Sequence, residues 1–256
     1  MVLAETACFP WLRHLDWDST HFGADVAEIT SPDLTEEQLA EALSAARRAH
    51  YRVVYWATHS GRTLARQFNE FCATPVNHRV QFSVNLQAVP ANQDARPSAN
   101  GFRIAVFPQG PANQALECLS ILAGTHSRFR IDPRIPTDGF RSLYRIWANR
   151  STLHELADVV LVATPSTSSS LDEAIGFITV SQTATSGQIG LIAVHPDHQG
   201  QGIASRLMAA AHDWLRDRGV TEVSVVTQLE NREACRLYSK WNYEPVEIQQ
   251  WFHFWP

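Results

Sequence analysis

The chain has 256 residues, 45% of them hydrophobic and 18% charged, with a formal net charge of −5 at pH 7. That length and apolar content allow one large or two modest domains, each with a full core, and exclude an intrinsically disordered chain. The acidic balance without any basic block argues against nucleic acid or an anionic membrane surface as partner.

In chain order, residues 11–30 read as two short strands around a Ser19–Gly23 turn. Residues 33–50 carry Leu34, Leu39, Leu43 and Ala46 at helical spacing, with Glu36 and Glu37 in the first turn. A strand over 52–58, a helix over 62–71 and a strand over 76–86, alternating through Val80, Phe82, Val84 and Leu86, complete a small α/β unit, residues 1–86. Residues 87–100 hold two prolines and no apolar period and read as a linker. The remainder, 101–256, opens with a strand at 102–107 and a helix at 112–123, followed by an irregular loop over 124–139. Then come a helix over 140–154, strands at 158–164 and 174–181 about a serine-rich loop, and an aromatic final strand over 245–255.

Before that end lies the most informative stretch, QIGLIAVHPDHQGQGIASRL over Gln188–Leu207. An apolar run to Val194 reads as a buried strand, and a turn with Pro196, Asp197, Gly200 and Gly202 follows. Ile203, Leu207, Ala210, Ala211, Trp214 and Leu215 then recur as one helical stripe. Strand, glycine turn and helix aim backbone N–H groups and the positive helix end at one point, which suits a phosphate. The glycines also fit a plain tight connection that needs only positive φ. Neither a P-loop nor a dinucleotide-binding glycine pattern is present.

The turn reads Gln199-x-x-Gly202-x-Ala204, and a strand over 221–228 precedes Asn231-x-x-Ala234-x-x-x-Tyr238. Both segments resemble the GCN5-related N-acetyltransferase (GNAT) superfamily. The resemblance implies an α/β fold with a mixed central sheet, here preceded by the smaller degenerate α/β domain, and acetyl-CoA as co-substrate. It implies that the amides of Gln199, Gly200, Gln201, Gly202, Ile203 and Ala204 bind the pyrophosphate. It also implies that a bulged strand offers the backbone of Ile192, Ala193 and Val194 to the pantetheine. Asn231 would meet the pantetheine arm and Tyr238, two turns or roughly 10 Å further along the helix, would reach the sulfur. A phenol with an ordinary pKa near ~10 can protonate a departing thiolate without losing its own proton at pH 7. Tyr238 as a core aromatic and Asn231 as a helix N-cap are the bland alternatives, and the cap is compatible with the functional role.

Outside these motifs, HLDWDSTHFG (His14–Gly23), HSRFRIDPRIP (His126–Pro136) and WFHFW (Trp251–Trp255) resemble the TDP-fucosamine acetyltransferase family. The implied acceptor is a nucleotide-linked deoxyamino sugar, with Arg128, Arg130 and Arg134 as candidates for its phosphates or as plain surface charges. Where members of that family carry a carboxylate proposed as base, this chain has Asn77 and His78. Asp132, His126, Glu173 and His78 remain candidate bases, each with a structural reading beside it. Two rivals stay open: another small amine or peptide amine as acceptor, and a non-catalytic acetyl-CoA-binding module.

Cys8, Cys72, Cys118 and Cys235 form no CxxC pair, so free thiols are expected. The histidines show no zinc-motif spacing, and no metal is expected. No run reaches the ~20 apolar residues of a membrane span and no leader pattern opens the chain, which predicts a soluble cytoplasmic protein with no membrane partner. A homodimer is open to it.

Overall fold

A computed structural model describes residues 10–89 and 101–256. The linker expected over 87–100 lies outside the described residues from position 90 onward, and its start is part of a 3-10 turn, Leu86–Ala88. The elements in chain order are β1 (Leu12–His14), α1 (Asp16–Phe22), β2 (Val26–Ile29), α2 (Glu36–Arg48), β3 (Val53–His59), β4 (Thr74–Asn85) and β5 (Phe102–Val106). They continue with α3 (Gln114–Ala123), α4 (Arg128–Ile131), α5 (Thr137–Thr152), β6 (Val159–Pro165), β7 (Gly176–Gln182) and β8 (Ser186–Val194). The last are α6 (Ile203–Arg216), β9 (Glu222–Gln228), α7 (Arg232–Lys240) and β10 (Glu244–Phe254).

Three local expectations are corrected. The Ser19–Gly23 turn is the end of helix α1, which Gly23 closes at φ 64°. The expected helix over 62–71 is only a 3-10 turn, Arg66–Phe71, because its apolar anchors Phe68 and Phe71 sit three residues apart and both are buried. The loop expected over 124–139 contains α4 and the start of α5.

The chain forms two compact units that do not follow one another in sequence. The first takes the described residues up to Arg79 together with Arg128–Gly139 and Ile248–Pro256; the second takes Val80–Ser127 and Phe140–Glu247. The boundaries therefore differ from the expected 1–86 and 101–256. The reason is long-range pairing. Val54–His59 pairs antiparallel with Gln249–Phe254, and Asp132 is hydrogen-bonded by His253 and Trp255.

In the first unit the strand order is β1-β2-β3-β10, with β2 and β3 parallel and the other pairs antiparallel. Helix α2 starts at a capping box in which Thr35 and Gln38 each bond the other's backbone N–H. Its inner stripe, Leu39, Ala42, Leu43 and Ala46, packs against Ala27, Ile29, Val54, Trp56, Phe252 and Phe254. Alternate residues of β3 and β10 face the other way.

In the second unit the order is β4-β9-β8-β7-β6-β5. β5 to β8 are antiparallel neighbours and β8 with β9 is parallel, so the sheet is mixed. Leu116 and Leu119 of α3 cover one face over Val160, Val162 and Phe177. α6 covers the other so closely that a Cβ on Gly187 would meet Leu215 at 2.8 Å and one on Gly176 would meet Ile203 at 3.0 Å. No helix among the described residues is long and apolar enough to cross a membrane. Cys72, Cys118 and Cys235 are free thiols, and Cys8 lies outside the described residues.

Candidate functional site

The site lies in the second unit, where β8 stops following its neighbours. On the β7 side, Ile178 pairs with Ile192 and Val180 with Ile189, so Gly190 and Leu191 together oppose Thr179. That is a bulge. Thr179 Oγ1 holds it by accepting the Leu191 N–H at 2.8 Å. Position 190 needs glycine for space, since a Cβ there would lie 2.6 Å from that same oxygen. On the β9 side the parallel register covers Ser186–Ile189 against Glu222–Val225. Beyond it, Ile192, Ala193 and Val194 line a pocket of about 620 Å³, within the range of ordinary ligand sites.

The glycine turn closes one end of this pocket. After the 3-10 turn Pro196–His198, Gly200 and Gly202 adopt φ of 75° and 82°. Neither Cβ would meet any atom within 4 Å, so conformation rather than space calls for glycine here. Gly202 caps α6 without any side-chain hydrogen bond, which leaves the first helical N–H groups for a ligand. Ile203, Leu207, Met208, Ala211 and Leu215 anchor the helix beneath.

Helix α7 forms the opposite wall. Asn231 caps it, its Oδ1 accepting the Ala234 N–H at 3.1 Å, and also lines the pocket. With Oδ1 committed to the cap, the Nδ2–H groups are what it offers a ligand. The expected residues Ile192, Ala193, Val194, Gln199, Gly200, Gly202, Ile203, Ala204 and Asn231 are thus brought together on one lining. Gln201 and Tyr238 are not on it. Tyr238 is 2% exposed, its ring 5.8 Å from those of Phe82 and Tyr243. Burial, with a smaller contribution from Cys235, pushes its phenol well above the ordinary range, so it is protonated at neutral pH.

Sequence reasoning missed several lining residues. Leu122, Ala123 and Thr125 follow from the end of α3 and carried no motif. Arg236 and Lys240, four apart on α7, also line the pocket. Their spacing after Asn231 was the available signal. Of the candidate bases, His126 reaches the pocket, whereas Glu173 is exposed in a 3-10 turn and His78 lies on β4. Asp132 belongs to the first unit and is fully engaged there. It accepts from His253 Nδ1 at 2.7 Å, Trp255 Nε1 at 3.0 Å and the Arg134 N–H at 3.0 Å. Desolvation alone would raise its carboxyl, but these hydrogen bonds outweigh it and hold the pKa below the usual value. The arginines expected as free charges are partly spent: Arg128 stacks on Tyr55 and Trp251, and Arg134 donates to Thr74 Oγ1 at 2.9 Å. Arg130 is exposed. Among the described residues no His, Cys, Asp and Glu group could hold a metal ion.

Comparison with known proteins bears on this geometry. Residues 133–243 match the family model described as "Acetyltransferase (GNAT) family". The Bacillus subtilis spore coat polysaccharide biosynthesis protein SpsD is 28% identical over 132 residues, 52% of this chain but only 44% of that protein. The dTDP-fucosamine acetyltransferase of Escherichia coli O6:H1 is 27% identical over 231 residues, 89% of this chain and 90% of that one. Among solved structures, a tandem GNAT protein from the clavulanic acid biosynthesis pathway superposes with a TM-score of 0.58 at 13% identity, covering 90% of this chain and 75% of that one. The bulged strand, the glycine turn capping α6 and the flanking α7 therefore all fall within the stretch, residues 133–243, that matches the GNAT acetyltransferase family model, and the chain shares the fold of solved GNAT proteins.

Proposed function

We propose that the protein transfers acetyl from acetyl-CoA to the amine of a nucleotide-linked deoxyamino sugar. The donor half rests on the pocket. Its glycine turn presents backbone N–H groups and a helix N-terminus to a pyrophosphate, with Arg236 and Lys240 adding positive charge. The unpaired side of β8 near Ile192–Val194 suits an amide-bearing pantetheine arm. The acceptor half rests on one observation: similarity along 89% of this chain to a protein named as a dTDP-fucosamine acetyltransferase.

In this reading the neutral amine attacks the thioester carbonyl, a backbone N–H of β8 stabilises the oxyanion, and the C–S bond breaks. Tyr238 gives its proton to the departing thiolate and regains one from solvent, while the new amide nitrogen sheds one. Both substrates are soluble metabolites, which places the reaction in the cytoplasm.

Two measurements test the halves separately. Gly190→Ala would push the bulge aside at a cost of about 1–3 kcal/mol, and calorimetry should show acetyl-CoA binding weakened about tenfold or more. Thiol release from acetyl-CoA should occur with dTDP-4-amino-4,6-dideoxygalactose and not with spermine or a peptide amine. Turnover with a peptide amine alone would keep the chemistry and discard the sugar. Binding of acetyl-CoA without turnover on any acceptor would leave a non-catalytic module.

A further inference from the structure

The bulge in β8 changes which of its residues turn their main chain towards the pocket. At the hairpin end the Thr183 N–H donates to the Ser186 C=O at 2.7 Å, so Ser186 is hydrogen-bonded to the β7 side. In the β7/β8 register Gln188 then faces β7 as well, while Gly187 and Ile189 turn their N–H and C=O towards β9. At the far end the His195 N–H donates to the Ile175 C=O at 2.8 Å. The same alternation gives Ala193 to β7 and turns Ile192 and Val194 the other way. An unbroken ladder running on from Ile189 would have turned Leu191 and Ala193 there instead. The parallel register with β9 ends at Ile189, so the backbone of Ile192 and Val194 faces the gap that opens into the pocket.

An extra residue in one strand brings an extra N–H to satisfy. Here it is that of Leu191, and Thr179 Oγ1 accepts it at 2.8 Å. Thr179 is 2% exposed, so bulk water is no ready substitute, and an unmade bond would carry the desolvation penalty of the amide. The fit is two-sided. The same oxygen lies 2.6 Å from where a Cβ on Gly190 would stand, so the hydroxyl takes up space that only a glycine leaves. Valine at 179 would have nearly the same shape and no acceptor. Thr179 is not on the pocket lining, so whatever it does for a ligand it does through the backbone of β8.

We propose that Thr179 is a positioning residue for the transfer: by latching the bulge it directs the Ile192 N–H at the acetyl carbonyl of the bound donor. The inference rests on the acetyl-CoA half of the reading above and not on the acceptor. The pyrophosphate belongs at the glycine turn, and Val194 stands at that end, its C=O accepting Gln199 Nε2 at 3.4 Å. Ile192 lies two residues, about 7 Å, back along the strand, on the side towards which a pantetheine arm runs to its thioester. There its N–H meets the carbonyl oxygen as negative charge develops, and a donor fixed beforehand needs no reorganisation at that moment. Relaxation of the bulge into a regular ladder would shift the alternation by one residue and turn the Ile192 N–H onto β7.

The test reads the Ile192 amide proton by NMR in the full chain carrying isotope-labelled isoleucine, with acetyl-CoA and with CoA as the two probes. In the parent the expected result is a downfield shift with acetyl-CoA relative to CoA. In Thr179→Val that difference should be lost, and kcat with an accepted amine should fall about tenfold or more. Thr179→Ser keeps the oxygen and should restore both. If the valine variant does not fold, Thr179→Ala takes its place with the same expectation. A merely structural role would lower the melting temperature of Thr179→Val and leave the acetyl-dependent shift intact, which overturns the proposal. A parent whose Ile192 amide does not distinguish acetyl-CoA from CoA overturns it too. Failure of the transfer reading looks different. An acetyl-dependent shift in a parent that releases no thiol with the amino sugar discards that acceptor and keeps the latch. A parent that binds no acetyl-CoA discards the donor reading and the latch together, before any variant is compared.

Discussion

Tyr238→Phe is expected to lower kcat by about two to three orders of magnitude while leaving acetyl-CoA affinity within about twofold. Only the hydroxyl is removed. The ring keeps its contacts with Phe82 and Tyr243, so the fold of α7 and its pocket wall should persist. Burial raises the phenol pKa, so the acid is fully protonated across neutral pH and its titration sets no limb of the rate profile there. A thiolate expelled without a positioned proton must instead wait for water, which affects the transition state and not the bound ground state. Equal falls in kcat and kcat/KM would be the signature. Unchanged turnover would remove Tyr238 as the acid and return it to the core role that its 2% exposure equally allows.

The pocket beside β8 was legible in the sequence because its signals are local. Gly200 and Gly202 stand where the backbone turns left-handed, and the α6 stripe announces the helix that follows. The bulge was less visible, although Gly190 is its trace: only glycine tolerates the approach of Thr179 Oγ1. Helix α1 escaped because seven residues with none buried give no apolar period. The division into units was hidden for a different reason. Asp132 and His253 are 121 residues apart, and strand pairing between β3 and β10 spans most of the chain. No local pattern encodes such a contact.

Acidification offers the other large effect, and it reads both units at once. His253 in the first unit is driven down to about 4 by burial and the nearby Arg128, with Asp132 pulling the other way. His212 in the second is likewise lowered to about 4, by burial and then the Arg216 charge, with its Nε2 held 2.8 Å from Tyr243 Oη. Both are neutral when folded but charge near ~6.5 when unfolded. Between those values the unfolded chain binds more protons, so stability is complete above the unfolded pKa and drains away as pH falls towards 4. Each histidine contributes a slope of about 1.4 kcal/mol per pH unit, and the pair about twice that. The low Asp132 pKa adds loss at still lower pH, once its carboxylate takes up a proton. Urea unfolding from pH 7 to 4.5 should therefore show about two protons taken up, or one per transition if the units unfold separately. His212→Leu should remove one of the two and leave the other. Stability flat between pH 6 and 4.5 would mean that neither imidazole is held neutral by its surroundings.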